Sequence, residues 1–190
     1  MRTIPTILSL FLVLAAGAAC SQTAVDEAPP PGEVTPAIET AQAAATDPAE
    51  LLRNGKMPAD GLLTGGQPTP EQLQTLAGLG YRTVINLRSP AENGSTDPAM
   101  VEALGMDYVS IPISGAADIG EENARRLAAE LAAAEYPVVV HCASGNRVGA
   151  LLALKAFLVD DQSPEDSLAF GRAAGVTRLE PVVKRELGLE

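Results

Sequence analysis

The chain reads as an α/β domain with a mainly parallel central sheet and helices on both faces, and three observations predict this. Short β-branched runs alternate with segments of helical apolar spacing. The run Val138-Val139-Val140 is apolar on both of its sides, as a strand buried between two helical layers must be. Residues 147–159 are almost wholly apolar yet helical in character, which fits only a helix at the centre of the fold.

Taken in order, Leu62-Leu63-Thr64 forms a first short strand. Thr69-Pro70-Glu71-Gln72 opens a helix, with Thr at the N-cap, Pro in the first turn and Gln three residues on. Leu73, Leu76 and Ala77 supply its apolar face, and Gly78 and Gly80 end it. Tyr81 to Leu87 contains Thr-Val-Ile and reads as a buried strand. Asp97-Pro98 starts a short helix reaching about Leu104, and Asp107 to Ile113 is the next strand. Ala124, Leu127, Ala128 and Leu131 follow the i, i+3, i+4, i+7 pattern, so residues 121–134 form an amphipathic helix. Pro137 to His141 is a strand and Arg147 to Val159 the central helix. Ser163-Pro164-Glu165-Asp166 begins another helix, and a last one runs from about Arg178 to Leu187.

The first 19 residues read as a targeting segment. Arg2 is its basic start and Ile7 to Ala19 a short apolar stretch, too short to span a bilayer. Small residues Gly17-Ala18-Ala19 precede Cys20, which resembles a bacterial lipoprotein signal cleaved before a cysteine that then takes a lipid. Ordinary cleavage near Ala19 is the alternative. The resemblance implies a periplasm-facing, lipid-anchored protein, and Ser21 after the cysteine implies sorting to the outer membrane. Residues 20–50 are rich in Ala, Pro, Thr and acids without apolar periodicity, hence a linker, and residues 51–190 suffice for one domain. Loss of Arg2 leaves 12 basic against 24 acidic side chains. No basic stripe interrupts that balance, so nucleic acid is excluded as a partner, and the membrane is reached only through the N-terminal lipid.

Residues 138–150 read Val-Val-Val-His-Cys-Ala-Ser-Gly-Asn-Arg-Val-Gly-Ala. The strand delivers Cys142 to a short turn containing Gly145, and the turn runs through Arg147 into the central helix. Such a junction surrounds one thiol with backbone N–H groups, a helix N-terminus and a guanidinium. All three favour negative charge, on the sulfur or on an anionic substrate held against it. Ligands of parallel sheets sit at the carboxyl ends of the strands, where Cys142 falls. His141 is the only histidine, so a Cys–His dyad or multi-histidine metal site is not supported. Alternation along the strand turns it away from Cys142, as a satisfied core residue that orients the loop by a hydrogen bond.

The segment resembles the signature loop of the cysteine-dependent phosphatases, His-Cys-x-x-Gly-x-x-Arg, with one residue fewer. Four residues, Ala143, Ser144, Gly145 and Asn146, separate Cys142 from Arg147 where that signature has five. Four is the spacing of the rhodanese-type sulfurtransferases. His141 is phosphatase-like, whereas Val148 stands where phosphatases carry a hydroxyl that stabilises the leaving thiolate; Ser144 is the nearest substitute. Gly66-Gln67-Pro68-Thr69-Pro70, Val84-Ile85-Asn86-Leu87-Arg88 and the shortened loop together resemble the beta-lactamase-hydrolase-like, phosphatase-like domain family. That family is related in fold to the dual-specificity phosphatases, and the resemblance covers about residues 58–160.

The resemblance implies hydrolysis of phosphate monoesters through a phosphocysteine on Cys142, without metal or organic cofactor. Arg147 and the loop residues Ala143, Ser144, Gly145 and Asn146 would hold a phosphorylated or other small anionic substrate. Related phosphatases keep their general acid in the loop that here spans Ser114 to Glu121, which makes Asp118 the candidate ahead of Glu121 and Glu122; capping the helix is its plainer role. Arg88 and Glu92 share that sheet edge, so Arg88 either contacts substrate or pairs with Glu92. Two alternatives stay open: a sulfurtransferase carrying a persulfide on Cys142, and a non-catalytic redox-responsive or anion-binding lipoprotein.

Overall fold

The computed structural model describes residues 47–190 apart from Asn93 and Ser95. The targeting segment, the lipidation site Cys20 and most of the expected linker lie outside the described residues. Among the described residues no helix is long and apolar enough to cross a membrane.

One five-stranded sheet organises the domain: β1 (Lys56–Ala59), β2 (Leu62–Gly65), β3 (Thr83–Asn86), β4 (Asp107–Ser110) and β5 (Val138–His141). Their spatial order is β1-β2-β5-β3-β4, with β1 antiparallel to β2 and every other pair parallel. The helices are α1 (Pro48–Leu51), α2 (Pro70–Gly78), α3 (Pro98–Ala103), α4 (Glu121–Ala133), α5 (Asn146–Leu158), α6 (Pro164–Ala173) and α7 (Glu180–Glu186). The mainly parallel α/β architecture is thus the one expected.

Local chemistry explains the boundaries. At α2 the expected reciprocal cap is present: Gln72 N–H donates to Thr69 Oγ1 at 3.2 Å, and Thr69 N–H to Gln72 Oε1 at 2.8 Å. The strands expected over 81–87 and 107–113 pair regularly only over 83–86 and 107–110, and the residues beyond become the site loops. The last helix begins at Glu180 rather than Arg178. Two elements were not expected from the sequence. α1 is four residues long and straddles the end of the expected linker, capped by Asp47 Oδ1 on Ala49 N–H at 2.9 Å. β1 carries Pro58 and is mostly exposed, so it shows neither alternation nor an apolar run, as an edge strand permits.

The period-two alternation of the strands divides the core. Val138, Val140 and Cys142 face α4, α5, α6 and α7 together with Leu62 and Ile85. Val139 faces the other way with Leu63 and Val84, against α2 and α3. α5 is buried along most of its length, which is why its sequence is apolar nearly all round. It crosses α6 at two glycines. A Cβ on Gly149 would lie 2.1 Å from Val176 N and 2.7 Å from Gly171 O. This close crossing sets the chain after α6 against the loop that carries Cys142.

Gly65, His141, Asn86 and Ser110 lie level across the four parallel-paired strands. The loops that follow them therefore open at one edge of the sheet, the edge where α/β folds hold ligands.

Candidate active site

Cys142 is the first residue beyond β5, its N–H donating to Gly65 O at 3.2 Å. The side chain is 1% exposed. The chain then turns back on itself: Gly145 takes φ +86° and donates its N–H to Cys142 Sγ at 3.2 Å. Glycine is needed there because a side chain disfavours the left-handed backbone. Gly145 is also the N-cap of α5, so the first free N–H groups of a 13-residue helix face the same loop. Asn54 Nδ2 donates to Ser144 O at 3.1 Å and Gly66 bridges Ser144, which ties the loop to the α1–β1 turn and to the end of β2.

Arg147 lies in the first turn of α5 and is clamped. Its Nη1 donates to Glu92 Oε1 at 2.6 Å and to Ile113 O, and its Nη2 to Glu92 Oε2 at 2.9 Å. A guanidinium has five N–H groups, so Nε–H and one Nη2–H remain for the Cys142 side. Glu92 holds the Arg147 charge above its ordinary range, with the neighbouring Cys142 adding to the effect. Glu92 in turn is depressed to about 2, chiefly by its hydrogen bonds from Arg147.

Arg88 pairs with Glu92, Nε to Oε2 at 3.2 Å, and also donates to Gln67 Oε1 at 3.0 Å and Gly94 O at 2.9 Å. Gln67 Nε2 donates to Thr96 Oγ1 at 2.6 Å, and Thr96 Oγ1 meets His141 Nε2 at 3.2 Å. A continuous polar chain thus connects His141, Thr96, Gln67, Arg88, Glu92 and Arg147. His141 is fully buried on the face opposite Cys142, as alternation required. It is half-satisfied rather than satisfied: its Nδ1 lies near the Cys142 backbone without a hydrogen bond of normal geometry. Burial, reinforced by the Arg88 and Arg147 charges, pushes its pKa down to about 3.

The other expected residues fall as follows. Asp118 ends a single 3-10 turn, Ala116–Asp118, and its Oδ2 accepts N–H from Ser114 at 2.6 Å and Gly115 at 3.2 Å. It therefore caps its own loop, whose start is fixed by the Arg147 bond to Ile113 O. Asn146 turns its side chain away: Oδ1 accepts from Thr177 N, Thr177 Oγ1 and Leu179 N, pinning the α6–α7 loop to the start of α5. Val148 is fully buried, and Ala143 and Ser144 are partly buried in the loop wall. Glu121 pairs with Arg125 on α4 at 2.7 Å. Sequence reasoning missed the Glu92 clamp on Arg147 and the roles of Gln67 and Thr96. The only signal for Gln67 was its place in the Gly-Gln-Pro motif.

A buried cysteine at the end of a central parallel strand, a glycine turn folded onto its sulfur and an arginine in the next helix define a cysteine-phosphatase-like domain. Residues 57–158 match the family described as beta-lactamase hydrolase-like protein, phosphatase-like domain, and the chain belongs to that family. A beta-lactamase hydrolase-like protein of Agrobacterium fabrum is 34% identical over 119 residues, which cover 60% of this chain and 27% of that relative. The chain thus spans about a quarter of that relative's length. Among solved structures, a Neisseria meningitidis chain described as a phosphatase superposes with a TM-score of 0.59 at 23% identity, covering 71% of this chain and 97% of that one. Tk-PTP in its active form gives 0.55 at 19% identity, covering 70% and 95%. At these identities the likeness is one of fold.

Proposed function

We propose that this protein is a cysteine-dependent hydrolase of phosphate monoesters. The observation that carries the reading is the loop geometry: Gly145 N–H reaches Cys142 Sγ while Glu92 holds Arg147 with two N–H groups left over for the same side. Cys142 as thiolate attacks phosphorus, the P–O bond to the leaving group breaks, and a thiophosphate forms. Arg147 and the loop amides take the charge on the non-bridging oxygens. Asp118 protonates the leaving alkoxide once its loop gives up the Ser114 and Gly115 bonds, and then accepts a proton from the water that splits the S–P bond. Phosphate leaves and the thiolate is restored, with no cofactor consumed.

A specific observation favours a second reading. The loop has the four-residue spacing, and the Asp118 carboxylate is committed to its own turn. Sulfur transfer through a Cys142 persulfide needs a smaller ring and no acid. The test is turnover of p-nitrophenyl phosphate by the full chain in reductant, beside Cys142→Ser. Hydrolysis that disappears in the variant supports the phosphatase. Absence of hydrolysis together with Cys142-dependent consumption of thiosulfate selects the sulfurtransferase. Export and lipidation at Cys20 belong to the same proposal, and radiolabelled fatty acid that enters the chain but not a Cys20→Ser variant is the expected result.

A further inference from the structure

A cleft of about 480 Å³ adjoins the Cys142 loop, and its walls include Ser144 of that loop. Four cationic side chains converge on it: Arg53, Lys56, Arg172 and Arg178. They are drawn from only 13 basic residues in a chain of net charge −11. Arg172 is neutralised by Glu180, with contacts of 3.0 and 2.5 Å. Arg53, Lys56 and Arg178 have no hydrogen bond or ion pair from their side chains among the described residues. Three cations without a partner among the described residues, set around one concavity, repel one another and favour an anion between them.

The walls are fixed to the Cys142 loop from both sides. Asn54 Nδ2 bonds Ser144 O, anchoring the α1–β1 turn that carries Arg53. Thr177 bonds Asn146 through both its N–H and Oγ1, anchoring the segment that carries Arg178. The backbone segments that carry Arg53 and Arg178 are thus tied to the loop that carries the cysteine. The volume suits a small molecule, and no aromatic residue lines the cleft to grip a ring. We propose that this cleft is the subsite for a second anionic group of a small, multiply anionic substrate whose reacting phosphoryl group lies at Cys142. The inference rests on the phosphatase reading for what occupies the loop itself.

Calorimetric titration tests it, with inorganic phosphate and 2,3-bisphosphoglycerate as probes of the full chain and of an Arg53→Gln/Lys56→Gln/Arg178→Gln variant. The intact chain should bind the bisphosphate at least tenfold more tightly than phosphate, and the variant should keep a preference of threefold or less. Equal affinities in the intact chain, or an unchanged preference in the variant, overturn the proposal. Should the triple variant fail to fold, Arg178→Gln alone, at an exposed position, should reduce the preference about threefold, and no reduction overturns it. Both proteins are titrated on a Cys142→Ser background, which cannot form the phosphocysteine, so binding is read without turnover and the two readings fail separately. A chain with this preference and no hydrolysis keeps the subsite and loses the phosphatase, and the reverse result does the opposite. Competition by phosphatidylcholine vesicles containing phosphatidylinositol 4-phosphate identifies the source: displacement of the bisphosphate assigns the second anion to a lipid headgroup, its absence to a soluble molecule, and both keep the cleft assignment.

Discussion

Glu92 stands between two guanidiniums, with Arg147 13% and Arg88 10% exposed. Its carboxylate fixes where the Arg147 fork points and offsets both charges, so its removal acts on the fold and on the site together. Glu92→Gln keeps the shape and removes the charge. The two cations then sit partly buried without a counter-ion, and breaking such a group costs about 2 kcal/mol, below the range for fully buried pairs. Urea unfolding measures this, and a loss under about 0.5 kcal/mol would mean that the pairs are solvent-screened. Cys142-dependent turnover should fall more than tenfold in the same variant, because Arg147 is no longer held over the loop. Cys142, Gly145 and Arg147 were legible in sequence because they are local: one six-residue stretch carries them. Glu92 was legible only as a neighbour of Arg88. Its bond to Arg147 spans 55 residues and follows no period; the Gln67–Thr96 and Thr96–His141 contacts, spanning 29 and 45 residues, follow none either. Spacing cannot reveal which loops meet at a sheet edge.

At the scale of elements, the crossing of α5 and α6 decides how the site is assembled. A Cβ at Gly149 meets backbone atoms at 2.1, 2.7 and 2.8 Å, and backbone cannot swing aside as a flexible side chain can. Gly149→Ala must push α6 and the Gly175–Thr177 segment outward. Overpacking of this kind exceeds the helix-propensity gain of alanine and should cost about 3 kcal/mol or more. The same displacement should break the Asn146–Thr177 bonds and so loosen the start of α5. Thermal unfolding checks the first effect, and hydrogen exchange at Thr177 N–H the second; unchanged stability would mean the helices separate freely. Helices α2, α3 and α6 were legible through their caps, since Thr69, Asp97 and Ser163 each accept a backbone N–H and each is followed by proline, and α4 and α5 through their apolar spacing. β1 was not legible, because it is four residues long and owes its form to pairing with β2; α1 has the same cap-and-proline start at Asp47-Pro48, but its single turn is too short to show an apolar period.

For the molecule as a whole, the groups that the site buries set its response to acid. His141 has a folded pKa of about 3 against an ordinary 6.5, and Glu92 about 2 against 4.5. Between pH 6.5 and 3 the unfolded chain binds a proton on this histidine that the folded chain refuses. Its contribution to stability is therefore complete above pH 6.5 and declines as pH falls. Glu92 acts in the same direction from a lower start: its contribution is complete above pH 4.5 and is lost as pH falls through 4.5 toward 2. One proton taken up on unfolding corresponds to about 1.4 kcal/mol per pH unit. The free energy of unfolding should therefore be level from pH 8 to 7, fall at up to that slope below pH 6, and fall more steeply below pH 4.5. His141→Gln removes the first group and keeps a polar side chain near Thr96. It should flatten the profile between pH 6 and 5 while leaving the steeper loss below 4.5. A variant that still loses a full proton's worth of stability between pH 6 and 5 would place that titration elsewhere, and His141 would then be a packing residue without charge coupling to Arg88 and Arg147.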